Sequence, residues 1–93
     1  MSILEIKEGE TVLARYIPAQ SAWREGLSFF SDDADFIQVG SWGYDTGKEL
    51  LAHQHNVVIR EALWTQEVIF VRQGSLLAKV YGTQQNKVAE LTV

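Results

Sequence analysis

The stretch TQEVIFVRQGSLLAKVY, residues 65–81, decides the fold class of this chain. Two apolar runs, Glu67–Arg72 and Leu76–Tyr81, stand on either side of the pair Gly74-Ser75. Valine, isoleucine, phenylalanine and tyrosine in these runs favour a pleated, half-buried strand. The glycine and serine between them are typical of a hairpin turn. The stretch therefore predicts two consecutive antiparallel strands.

The same organisation recurs on both sides of this stretch. Glycine-rich Gly40–Gly47 predicts a loop or bulge, and Ala19–Gly26 is the best helical candidate, although it has only eight residues. Many short strands separated by turn residues are typical of an antiparallel sandwich or barrel. We therefore expect one all-β domain over residues 1–93. The further predicted strands are 3–7, 11–17, 27–30, 36–39, 49–55, 57–62 and 88–93.

Composition excludes several classes of function. The net charge is −4 and the eight basic residues are scattered from Lys7 to Lys87, so no nucleic-acid-binding surface is expected. The absence of cysteine excludes disulfides, thiolate catalysis and zinc–thiolate sites. The opening MSILEIKEGE lacks the apolar core of a signal peptide, and no apolar run approaches the length of a membrane helix. These features predict a cytoplasmic protein with no membrane partner.

The sequence His53-Gln54-His55 is the strongest candidate for chemistry. Residues two apart on a strand point to the same face, about 6–7 Å apart along it. Both imidazoles can therefore reach one metal ion, and a carboxylate oxygen commonly completes such a site. The alternative interpretation is a strand that carries two structural histidines.

Gly47, His53, His55, Glu67 and Gly74 resemble the first conserved motif of the cupin superfamily. The resemblance implies a cupin-type antiparallel β-sandwich or jelly-roll barrel. It also implies that His53, His55 and Glu67 are ligands of a divalent metal, Fe, Mn, Ni or Zn, beside a small organic ligand. A metal-dependent enzyme is one expectation. The alternatives are a non-catalytic cupin that binds a small molecule or sugar, and an inactive fragment of a longer cupin.

Two features depart from the cupin pattern. Eleven residues separate His55 from Glu67, a longer gap than the motif usually has, and the nearer Glu61 is not followed by a suitably placed glycine. The second cupin motif, with its third histidine, has no counterpart after Gly74. Because the chain stops within the apolar run Val88–Val93, we expect a C-terminally short domain whose barrel is incomplete in a single chain. A homodimer formed by strand exchange or edge pairing would supply the missing wall.

Three further residues are candidate ligand contacts. Trp42 and Tyr44 precede the histidine strand and can stack on a sugar or another planar ligand, although tryptophans can equally seal a small core. Arg60 and Gln66 are the other polar candidates near the predicted cavity, and Gln66 is expected to point outward. Strand alternation places Arg60 opposite the histidines, so only a bulge would turn it inward. The aspartate-rich turn at 32–35 lacks the ligand spacing of a calcium loop and predicts a solvated turn.

Overall fold

The computed structural model describes residues 3–93. Its contacts divide the chain into two compact units, one made of residues 3–22 together with Val68–Val93, the other of Trp23–Glu67. No helix in the described part of the chain has the length and apolar character needed to cross a membrane. In chain order the elements are β1 (Leu4–Glu8), β2 (Thr11–Tyr16), α1 (Ala19–Ala22), β3 (Gly26–Phe29), β4 (Gly40–Gly43), β5 (Leu77–Tyr81) and β6 (Lys87–Thr92).

The strands form three two-stranded antiparallel sheets, and each sheet is a pair of consecutive strands. They are β1–β2, β3–β4 and β5–β6. The all-β prediction is confirmed, because the described residues contain almost no helix. Residues 3–93 do not close into a barrel, so the jelly roll implied by the cupin resemblance stays a proposal.

The first unit consists of two hairpins whose turns follow from their residues. Gly9 has φ 59°, a left-handed conformation that glycine adopts without steric cost, and the chain reverses there between β1 and β2. Beyond β5 and β6, Leu76 and Val93 exchange two backbone hydrogen bonds of 3.0 and 2.9 Å, which lengthen that ladder by one pair. The predicted strands at 3–7, 11–17, 76–81 and 88–93 therefore form close to their expected bounds.

The two hairpins contact each other through β1 with β6 and β2 with β5. Ile6 of β1 is a buried hydrophobic side chain, with 6% of its surface exposed. At the turn end of β1, the Glu8 carboxylate accepts hydrogen bonds from the Thr83 backbone nitrogen at 3.1 Å and from its Oγ1 at 2.9 Å. The Glu8 carboxylate thus joins the first hairpin to the loop of the second.

The second unit corrects two predictions. Gly40–Gly43, expected to be a loop, is strand β4, and it pairs with β3 so that Leu27 lies opposite Trp42. Glycine is required there by close approach, because a Cβ at Gly43 would overlap the Arg24 carbonyl group. The strand expected at 36–39 is largely replaced by the end of the aspartate-rich turn, where the Val39 nitrogen donates to Ser31 Oγ at 2.9 Å.

The helix is shorter than predicted. Helix α1 covers only Ala19–Ala22, half of the expected Ala19–Gly26. The Ser21 nitrogen donates to the Pro18 carbonyl at 2.9 Å, and both residues are buried. Gly26 has φ 82° and begins β3, so the helical conformation cannot extend that far.

Residues 49–75, which we call the unpaired segment, differ most from expectation. The strands predicted at 49–55, 57–62 and 67–72 are wrong for the single chain, since no strand forms there. The physical reason is a missing partner: residues 49–75 form no backbone–backbone hydrogen bond with any described residue. Without a neighbouring strand, the backbone N–H and C=O groups bind water, and the alternation of apolar side chains adds no stability to an extended conformation.

Candidate functional site

The two histidines of the unpaired segment lie side by side. The ring centroids of His53 and His55 are 5.4 Å apart, and the rings are tilted by 53°. A ring nitrogen of His53, Nδ1, lies 3.4 Å from the Leu51 carbonyl oxygen, while both imidazoles are exposed to solvent. The structure therefore brings together the two nitrogen ligands that the sequence predicts on one face.

The apolar neighbours of the histidines are unevenly exposed. Leu51 and Val57, each two residues from a histidine, are 92% and 100% exposed. Leu50 and Val58, each three residues from a histidine, are 41% and 54% exposed. The apolar residues two positions before His53 and two positions after His55 are therefore almost fully exposed.

Glu67 does not join the histidine pair. Among residues 3–93, no group of three or more histidine, aspartate or glutamate side chains is arranged to hold a metal ion. The Glu67 side chain is exposed, within the unpaired segment. The long gap between His55 and Glu67 is not folded back by any hairpin, because no strands form on either side of it.

Trp42 and Tyr44 line a shallow concavity of about 410 Å³ together with Asp45, Lys48 and Leu50. The Lys48 ammonium group lies 5.4 Å from the centroid of the Tyr44 ring, within the range of a cation–π contact. The Lys48 backbone nitrogen donates to the Asp45 carbonyl at 3.2 Å, which fixes the turn that carries the lysine. We call this feature the aromatic ledge.

Arg60 contacts the aspartate-rich turn. Its Nη2 donates to the Asp33 carbonyl at 2.8 Å, and its Nε donates to the Asp35 carbonyl at 3.2 Å. The guanidinium group therefore holds the aspartate-rich turn by two hydrogen bonds. Arg60 is not among the residues that line the aromatic ledge. Strand alternation had already placed Arg60 opposite the histidines, and the structure gives that side chain a structural contact.

Sequence reasoning missed Lys48, the only cation on the ledge. The signal was present: Lys48 follows Tyr44 across a short turn that contains Gly47, whose φ is 94°. A left-handed glycine reverses the chain and brings residues on its two sides together. Lys48 forms no ion pair with a described residue, so its ammonium group is available to an anionic ligand.

No protein-family model matches the chain, and neither the curated proteins nor the solved structures yield a significant match. The cupin resemblance therefore depends on the spacing of Gly47, His53, His55, Glu67 and Gly74 alone.

Proposed function

We propose that this chain is a cytoplasmic cupin-like protein that binds a divalent metal through His53 and His55, with Glu67 as the expected third ligand, and a small organic ligand beside it. The single observation that supports the metal site is the imidazole pair, whose ring centroids lie 5.4 Å apart on one side of the segment. Two imidazoles that converge in this way suit Fe, Ni or Zn, with a carboxylate or water in the remaining positions. No thiolate competes for the ion, because cysteine is absent.

The chemistry expected of such an ion is that of a Lewis acid, which polarises an oxygen of the organic ligand. His53 and His55 would bind as neutral imidazoles, and Glu67 would supply a negative charge. The contact of the His53 ring with the Leu51 carbonyl supports the fit, because a metal-ligating histidine generally donates its other ring N–H to an oxygen.

Metal binding is tested by calorimetric titration of the chelator-treated protein with Zn²⁺ and Ni²⁺, followed by metal analysis after gel filtration. The expected result is stoichiometric metal that is lost in His53→Ala and in His55→Ala. Gln54→Ala is the matched control, since it lies between the histidines on the opposite parity. Glu67→Gln should weaken binding if the carboxylate is a ligand. Failure of the unaltered protein to retain either metal would reject the proposal.

A second candidate function is metal-free binding of a sugar or another planar ligand on the aromatic ledge. The exposed ring of Trp42 offers a stacking surface, and the Lys48 ammonium over Tyr44 offers a charge to a nearby hydroxyl or carboxylate. The ledge is formed by β4 and the turn after it, both of which belong to the second unit. The histidine pair is not among its lining residues.

The two candidates are separated by tryptophan fluorescence in the presence of a chelator. A panel of neutral and acidic monosaccharides should quench fluorescence in the unaltered protein and not in Trp42→Ala. Trp64→Ala is the matched control, because Trp64 is similarly exposed and lies in the unpaired segment, away from the ledge. Equal responses of the two variants would exclude the ledge as the binding site.

A further inference from the structure

The histidine pair is incomplete as a metal site within one chain. It offers two nitrogen ligands, whereas a zinc site takes three or four protein ligands. No third histidine or carboxylate of residues 3–93 joins them in the structure. The missing ligands must therefore come from water or from another molecule.

The sequence around the pair is self-complementary about Gln54. If two copies of the segment lie antiparallel with Gln54 opposite Gln54, then His53 of one copy faces His55 of the other, twice. In the same register Leu51 faces Val57 on the histidine side, and Leu50 faces Val58 on the other side. Leucine thus meets valine at four positions of a two-fold symmetric interface, and Ala52 faces Asn56 on the side away from the histidines.

The pairing has natural limits. One step past Glu49 and Ile59, Lys48 would face Arg60, a like-charge pair that disfavours a longer ladder. Within the limits, Leu50 to Val58, the segment has free backbone groups to exchange, because it forms no backbone–backbone hydrogen bond with the described chain. The proposed interface would therefore use backbone groups that form no backbone–backbone hydrogen bond elsewhere in the described chain.

The apolar residues that would pair are open to solvent. Leu51 and Val57 are 92% and 100% exposed, and Leu50 and Val58 are 41% and 54% exposed. Pairing of two copies would therefore remove apolar surface from water.

We propose that two copies of this chain pair antiparallel through Leu50–Val58 and that their four imidazoles, His53 and His55 of each copy, bind one divalent metal ion between them. Directly opposite residues have Cβ atoms about 4.5–5.5 Å apart, and residues two apart on one strand are separated by about 6–7 Å. Four imidazoles at that spacing can turn their nitrogens toward one ion, and an all-imidazole set suits zinc. This inference rests on the proposed metal-binding role of His53 and His55, and it replaces Glu67 by the second copy.

The first test is stoichiometry measured together with mass. The chelator-treated protein is titrated with zinc while light scattering follows its mass. We expect one zinc per two chains and a doubling of mass, both lost in His53→Ala and in His55→Ala and both retained in Gln54→Ala. Leu51→Lys, which keeps the histidines but places charges in the interface, should weaken zinc binding at least about tenfold, because the two half-sites are no longer held together.

Two results of this test have different meanings. One zinc per chain at the monomer mass would overturn the shared site while leaving the proposed metal-binding function intact. No zinc in the unaltered protein would reject both.

The second test concerns the register and uses the absence of cysteine. In Gln54→Cys the two thiols lie directly opposite, with Cα atoms about 4.5–5.5 Å apart, within disulfide range. In the control Asn56→Cys the symmetric thiols are four residues apart along the ladder, about 13 Å, which is out of range. Both positions are exposed in the unpaired segment, so neither change disturbs the rest of the chain.

With zinc present, mild oxidation should cross-link Gln54→Cys at least about tenfold faster than Asn56→Cys, as judged by non-reducing electrophoresis. Equal rates for the two variants, or no cross-link in Gln54→Cys, would overturn the antiparallel register.

Discussion

Two neighbouring regions of this chain have the same strand pattern and different outcomes. Leu77–Tyr81 forms strand β5 and pairs with β6 along its whole length. Glu67–Arg72, on the other side of Gly74, is richer in β-branched and aromatic residues, and it forms no strand. β-propensity describes how well a side chain fits a pleated surface, so it takes effect only where a second strand supplies that surface.

The presence of a partner strand also distinguishes the β5–β6 hairpin from the histidine stretch, residues 49–55. Strand β6 follows β5 after a five-residue loop, so the partner strand is available at little entropic cost. The histidine stretch has no such neighbour, because β4 before it pairs with β3 and residues 57–62 after it form no strand. The histidine stretch therefore lacks a partner strand. Matched substitutions in the paired and the unpaired region test this difference.

The largest effect is expected from the core of the paired region. Ile6→Ala removes the buried apolar side chain of the first unit and should lower its free energy of unfolding by about 2–4 kcal/mol. The matched change is Ile59→Ala in the unpaired segment, where the side chain is 97% exposed and its removal should leave the stability unchanged. Urea unfolding followed by circular dichroism measures both. If Ile59→Ala proved as destabilising as Ile6→Ala, the segment would be packed in solution.

The paired region is also the part of the fold that the sequence predicts well. Hairpins need only local information: a left-handed glycine at Gly9, a short loop after Tyr81 and apolar alternation on both sides. Strand β4 was missed because glycine has low β-propensity, although Gly43 is needed where the backbone passes Arg24. The arrangement of segments 49–72 depends on distant partners, which no local pattern can specify.

A smaller effect is expected at the carboxylate that joins the two hairpins. Glu8→Gln replaces a charged acceptor of two hydrogen bonds from Thr83 and should cost about 0.5–1 kcal/mol, since the contact is open to solvent. Glu10→Gln is the control, one turn position away and exposed. Thermal unfolding of the two variants at equal concentration makes the comparison. A Glu8→Gln protein that melts together with Glu10→Gln would show that the hairpins are held by apolar contacts alone.

The candidate site was predicted in part. Alternation placed His53 and His55 on one side, and their rings do lie 5.4 Å apart. The position of Glu67 depended on a hairpin whose strands do not form, and the role of Arg60 depended on a bulge that would have turned it toward the predicted cavity. The proximity of the two histidines depends on neighbouring residues alone, and it is found. The contacts predicted for Glu67 and Arg60 required strands that do not form in the single chain.

The smallest effect is expected at Arg60, which connects the unpaired segment to the aspartate-rich turn. Arg60→Ala removes hydrogen bonds of 2.8 and 3.2 Å to the carbonyls of Asp33 and Asp35. Both bonds are exposed, so the global stability should change by only a few tenths of a kcal/mol. The change should instead be local, because a turn that loses its clamp opens more often. Hydrogen exchange should become faster in residues 31–38 and stay unaltered in β5 and β6, whereas Arg72→Ala, an exposed arginine of the same segment, should change neither. Faster exchange in β5 and β6 of Arg60→Ala would mean that the unpaired segment supports the paired region.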